Sequence, residues 1–143
     1  MMKIDCSLCR PGLEALVESE YWRLVINRNQ NLLGKCMLVL RRHLEIVPDL
    51  TVEEWTNLQP ELKRANAALT AAFAPDHFNY AFLQNQDRHI HLHLMPRYAK
   101  PRIFAGIVFD DPDYPAHYSV PGPTRILEKA QLDMLAEELH KYL

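Results

Sequence analysis

The chain lacks any excess of positive charge: 16 Lys and Arg stand against 18 Asp and Glu, a formal charge of −2 over 143 residues. A polyanion or an anionic membrane surface would meet no broad basic field. Nucleic acid polymers and membranes are therefore not expected partners, although a small anion held by a local cluster is allowed. No stretch approaches the ~20 consecutive apolar residues of a membrane span. Residues 1–6 also hold no apolar run of the kind that marks a secretory signal. Three cysteines cannot all pair within one chain. With no export signal, free or metal-bound thiols in a reducing compartment, the cytoplasm, are the expectation. Internal repeats, low-complexity tracts and linkers are missing too, so residues 1–143 are expected to form a single domain, long enough to bury a core. What remains is ordinary globular composition, 48% apolar and 24% charged.

Residues 20–27 (Glu-Tyr-Trp-Arg-Leu-Val-Ile-Asn) read as a strand from their aromatic and β-branched content. Residues 27–34 read as a turn or loop, and residues 35–40 as a second, more buried strand that could close a hairpin. Thr51-Val52-Glu53-Glu54 has the pattern of a capping box. Trp55, Leu58, Leu62, Ala65 and Leu69 then recur at helical spacing down to about Phe73, with Pro60 expected to kink or split the helix. Ala74-Pro75-Asp76 ends it. Residues 77–83 read as a third strand and residues 88–95 as a fourth, stopped by Pro96. Residues 103–109 form a candidate edge strand in a Pro- and Asp-rich stretch, and Leu132, Leu135, Leu139 and Tyr142 mark a C-terminal helix. The order predicts an α+β domain on a mainly antiparallel sheet.

Three of the seven histidines fall in five residues, His89-Ile90-His91-Leu92-His93. Strand side chains alternate faces, so the three imidazoles would line one surface at roughly 6.7 Å spacing, with Ile90, Leu92 and Leu94 turned to the core. A solvated polar face usually uses Lys, Glu, Thr or Arg, which makes that account poor. Two readings remain open on the residues alone. Imidazole is the commonest metal ligand, although such sites normally recruit a further carboxylate or histidine. Alternatively, a neutral imidazole attacks phosphorus while its neighbours hydrogen-bond the phosphate oxygens.

The run His89-Ile90-His91-Leu92-His93-Leu94-Met95-Pro96-Arg97 resembles the histidine triad (HIT) superfamily. So does the layout upstream: Leu24-Val25-Ile26-Asn27, Gly34 opening an apolar strand, Arg41-Arg42-His43, Asp49-Leu50-Thr51 and Glu53-Glu54. The resemblance implies a HIT-like fold with a roughly five-stranded sheet, a long middle helix and a C-terminal helix, often joined as a homodimer. It implies a nucleotide hydrolase or nucleotidyl transferase acting on a dinucleoside polyphosphate, a nucleoside phosphoramidate or a similar substrate. On that pattern His91 is the nucleophile that forms a nucleotidyl-imidazole intermediate. His93 hydrogen-bonds the α-phosphate, and His89 orients its neighbours or serves a metal. Asn27 matches the position of a ribose contact, though it equally suits a turn. Before the first histidine many relatives carry a Gly and then a Gln, Ser or Thr; this chain has Gln84-Asn85-Gln86-Asp87-Arg88 and no Gly. Asn85, and after it Gln84, are the candidates on the leaving-group side. Arg88 reads as an exposed loop residue. A nucleotide-binding regulatory module with little turnover is the alternative function.

Cys6-Ser7-Leu8-Cys9 has the spacing of half a zinc site. A thioredoxin-like redox centre would lie between a strand and a helix, and only five residues precede Cys6; two buried structural cysteines are the plain alternative. The family resemblance implies more. Some branches join such a pair to a histidine after the second strand and to the first triad histidine, here Cys6, Cys9, His43 and His89, around one structural zinc with no organic cofactor. Cys36, within an apolar strand, reads as core.

Overall fold

The computed structural model describes residues 3, 5–10 and 14–143. Met1, Met2 and Ile4, part of the segment read above for an export signal, lie outside the described residues. A short 3-10 turn, Ser7–Cys9, precedes β1 (Val17–Glu18), β2 (Trp22–Ile26) and β3 (Cys36–Leu40). A second 3-10 turn, Val47–Asp49, leads into α1 (Val52–Phe73), followed by β4 (His77–Ala81), β5 (His91–Arg97), β6 (Arg102–Phe104), β7 (Ile107–Phe109) and α2 (Lys129–His140). The main sheet runs β1-β2-β3-β5-β4, and every pairing is antiparallel. The α+β class, the five strands and the two helices are as expected, and β2 and β3 do form a hairpin.

Alternation along the strands sorts side chains onto two faces. Trp22, Leu24, Cys36, Leu38, Leu40, Leu92 and Leu94 are buried and form the core with Leu58, Ala65, Leu69 and Phe73 of α1 and Leu135 and Leu139 of α2. Each fully buried leucine contributes roughly 1.5–3 kcal/mol, so this face holds the helices down. The register Val25↔Met37↔His93 and Arg23↔Val39↔His91 puts the histidines on the opposite face. There a smaller cluster of Leu8, Val25 and Val39 anchors the N-terminal segment.

Local chemistry fixes the helix ends. The Glu54 N–H donates to Thr51 Oγ1 at 3.1 Å and the Thr51 N–H to Glu54 Oε2 at 2.8 Å, the reciprocal cap expected. Ala74 closes α1 in the left-handed region at φ 47°. Pro60 does not split the helix, which runs unbroken through all 22 residues. Pro60 is exposed, so the hydrogen bond it cannot make faces solvent. Trp55 belongs to the helix but not to the core: it is 43% exposed and lies edge-on to Phe82.

Several strand limits differ from the expectations. The third expected strand stops at Ala81, two residues early. The fourth begins at His91, not at Arg88, and runs through Pro96 to Arg97. The Ile90 carbonyl points to β3, where it accepts from Leu40, so Pro96, three turns of the pleat further along, turns its donor-less nitrogen the same way. β3 has already ended opposite Leu94, so no ladder bond is lost. Residues 103–109 are no edge strand of the main sheet. They split into β6 and β7, a separate hairpin turned by Ala105 and Gly106, both at positive φ (52° and 72°). The fifth strand of the main sheet is instead the two-residue β1.

Candidate active site and metal centre

His91 and His93 stand on β5 with ring centroids 4.7 Å apart. His91 is only 4% exposed, and its Nδ1 lies 2.7 Å from the His89 carbonyl oxygen. A carbonyl only accepts, so Nδ1 carries a proton, and in the neutral ring Nε2 keeps its lone pair. The backbone of one triad histidine thus sets the tautomer of the next. His93 is uncharged at neutral pH, because burial, then His91, then Lys35 push its imidazole down to about 4.

His89 belongs to a different cluster. It is fully buried just before β5, and its Nε2–H donates to the Leu40 carbonyl at 2.6 Å, which turns Nδ1 inward. Nδ1 lies 3.4 Å from both Cys6 Sγ and Cys9 Sγ and 3.2 Å from His43 Nδ1; Cys9 Sγ is 3.3 Å from His43 Nδ1. The four ligand atoms all fall within 4.8 Å of one another. Two imidazole nitrogens at 3.2 Å that both point inward, with two sulfurs around them, suit a shared cation better than a set of hydrogen bonds. A tetrahedral zinc with Zn–S of about 2.3 Å and Zn–N of about 2.05 Å has S···N edges of about 3.6 Å and an N···N edge of about 3.3 Å. The observed edges match within a few tenths of an ångström. Behind the cluster the buried His43 Nε2 makes no hydrogen bond among the described residues and lies 3.7 Å from Glu45 Oε1, the side on which a ligating histidine carries its proton. Cys6, Cys9, His43 and His89 could therefore hold a metal ion, while His91 and His93 face elsewhere. The three histidines do not share one cluster.

The remaining expected residues are placed as follows. Asn27 follows β2 in a tight turn, its Oδ1 accepting from the Asn29 N–H at 3.0 Å. Gln84, at φ 53°, donates its amide to the Glu45 carbonyl at 2.7 Å. Asn85 and Arg88 are exposed on the loop before the triad. Ser7 Oγ donates to Asp87 Oδ1 at 2.5 Å and ties that loop to the N-terminal segment. Cys36 is buried in the core, where burial pushes its thiol up to about 12 and leaves it unreactive.

A cleft of about 170 Å³ opens beside His93, lined by Asn29, Asn31, Lys35, Met95 and the strap of residues 118–122. Gln30 and Asp111, which help build it, went unread in the sequence, and so did the role of Arg97. Gln30, fully buried, donates Nε2 to the Asn27 and Lys35 carbonyls and accepts from the Gly34 N–H, so it pins the loop that carries Lys35. Arg97 and Asp111 form a buried pair that holds the strap. A Gln amid Asn-rich loop residues gives no signal that it is buried, and an ion pair 14 residues apart has no local pattern. A larger depression of about 500 Å³ lies among Glu20, Tyr21, Arg23, Arg41, Arg42 and Glu54. It contains no histidine, and Arg42 is taken up by Glu54.

The architecture is thus an antiparallel five-stranded α+β domain with an oriented histidine pair on one face. The HIT domain family model matches residues 14–100, more than half of the chain. The chain belongs to the HIT domain family, whose members bind and hydrolyse nucleotides. Solved structures share the fold at low identity. A histidine triad protein from Sinorhizobium meliloti is 18% identical, with TM-score 0.74 over 90% of this chain and 88% of that one. One from Marinobacter aquaeolei is 21% identical, with TM-score 0.73 over 91% and 88%. A Zn-bound histidine triad family protein from Mycobacterium smegmatis is 17% identical, with TM-score 0.63 over 96% and 95%. No curated protein matches the sequence.

Proposed function

We propose that the chain is a nucleotide hydrolase or nucleotidyl transferase that works at the α-phosphate through a nucleotide carried on His91. The fixed tautomer of His91, Nδ1–H on the His89 carbonyl and Nε2 bare, is the observation that supports it most. In the first half, Nε2 bonds to the α-phosphorus. The bond from phosphorus to the leaving oxygen or nitrogen breaks with its electron pair, and the leaving group takes up a proton as its basicity requires. In the second half, water adds to phosphorus, the P–N bond returns its pair to Nε2, and a water proton is lost as the nucleoside monophosphate departs. In a transferase another acceptor replaces the water. Splitting one displacement into two suits a neutral imidazole, a good nucleophile and then a good leaving group.

His93, neutral at working pH, contributes an N–H to a phosphate oxygen. Asn27 is assigned to the ribose, and Asn85 with Gln84 to the leaving-group side. Dinucleoside polyphosphates and nucleoside phosphoramidates are the substrate classes. One zinc on Cys6, Cys9, His43 and His89 would be a closed structural ion that pins the N-terminal segment to the sheet. The outer edge of β4 pairs with no strand among the described residues, which supports a homodimer formed along it. The cytoplasm is the proposed location. No helix of the described residues is long and apolar enough to cross a membrane.

Nucleoside monophosphate release from both substrate classes tests this reading. The His91→Ala protein should lose about 10³-fold or more in kcat, and equal rates would remove His91 from the nucleophile's place. Tight nucleotide binding by the unaltered protein with no turnover would make it a binding module.

A further inference from the structure

Lys35 is a half-buried cation on the open face that no part of the histidine pattern requires. It immediately precedes β3, and the register Cys36↔Leu94 sets it opposite Met95, diagonal to His93 on the neighbouring strand. Its backbone is fixed on two sides: the Asn27 N–H and Gln30 Nε2 both donate to its carbonyl, at 3.0 and 2.8 Å. Nζ donates to Asn31 Oδ1 at 2.6 Å, and among the described residues it makes no ion pair with a carboxylate. Burial lowers its ammonium to about 8, so it is still mostly charged at neutral pH. A half-buried ammonium without a counter-charge is costly unless something anionic arrives to meet it. The cleft that it lines with His93, Asn29, Asn31 and Ser119 is about 170 Å³, below the ~300 Å³ at which drug-sized ligand pockets begin. That space suits phosphate groups better than a base and ribose. The other candidates on the leaving-group side carry no charge to offer: Gln84 is an amide committed to the Glu45 carbonyl, and Asn85 is exposed.

We propose that Lys35 receives the phosphate chain beyond the α-phosphorus, and so favours nucleotides with an anionic phosphate leaving group over those with an amine. This rests on the nucleotidyl-transfer reading above. The test compares the unaltered protein, Lys35→Gln and Lys35→Arg on a dinucleoside polyphosphate and on a phosphoramidate of the same nucleoside, with calorimetric titration of inorganic pyrophosphate. Lys35→Gln should lose about 10- to 100-fold in kcat/KM on the polyphosphate, the range for a hydrogen bond to a charged group. That loss should exceed its loss on the phosphoramidate by about tenfold, and pyrophosphate affinity should fall in step. Lys35→Arg should recover most of both. Equal losses on the two substrates, which would mark a structural role, or unchanged pyrophosphate binding would overturn the proposal. If the unaltered protein turns over neither substrate, the nucleotidyl-transfer reading fails and the pyrophosphate titration alone decides for or against Lys35 as an anion site.

Discussion

His93 shows how the residue's surroundings choose its chemistry. Burial, His91 and Lys35 all disfavour its charged form and hold it down to about 4, whereas an unfolded chain protonates a histidine near 6.5. Above 6.5 neither state carries the proton and stability is unaffected. Between 6.5 and about 4 the unfolded state binds more protons, so stability falls as pH falls; below about 4 both states are protonated and the loss levels off. Denaturant titrations at pH 7, 5.5 and 4.5 should therefore show a shallower fall for His93→Asn than for the unaltered protein. Parallel curves would contradict the assignment. The histidines were the most legible part of the site, because alternation alone puts His91 and His93 together. What alternation could not show is the turn of the His89 ring. That depends on the Leu40 carbonyl and on cysteines 80 and 83 residues away.

Among the elements, the segment after β7 is held to the sheet by the Arg97–Asp111 pair. Arg97 Nε donates to Asp111 Oδ2 at 2.7 Å, and the same guanidinium bonds Asn79 Oδ1 on β4 and the Ala116 carbonyl two residues before the strap. Both charged side chains are 2% exposed. Asp111→Ala would leave a buried guanidinium unpaired and should cost about 3–5 kcal/mol, read from urea midpoints; a change under about 1 kcal/mol would show the pair to be solvated. Elements with local punctuation were readable: the capping box at Thr51, the hairpin strands around Gly34, the stripe of α1. Gly34 has a further reason to be glycine. It sits at φ 86°, and an added Cβ would stand 2.8 Å from Leu69 Cδ2, a contact between loop and helix that no local pattern reveals. Limits set by neighbouring strands were not readable. β1 is two residues held by pairing to β2, β5 starts where β3 gives it a partner, and Ala105 takes a positive φ that its identity does not advertise.

For the whole molecule, the question is what fastens the N-terminal segment across the open face. Leu8 packs on Val25 and Val39 with Cys6, Ala15 and Met37 around it, and a metal ion on Cys6, Cys9, His43 and His89 would add to the hold. Elemental analysis should find one zinc per chain, lost in Cys9→Ser, and chelation should lower the thermal midpoint of the unaltered protein but not of the variant. A metal-free protein of unchanged stability would contradict the zinc assignment. The fold separates its three histidines, His89 with Cys6, Cys9 and His43, and His91 with His93 on β5. The claim that matters most is the covalent nucleotide on His91, and the stereochemical course at phosphorus tests it most directly. Each displacement inverts the centre. Hydrolysis of a substrate made chiral at the α-phosphorus by sulfur and oxygen-isotope substitution should thus proceed with net retention through His91. Net inversion would mean that water attacks in a single step and that no nucleotidyl-histidine forms.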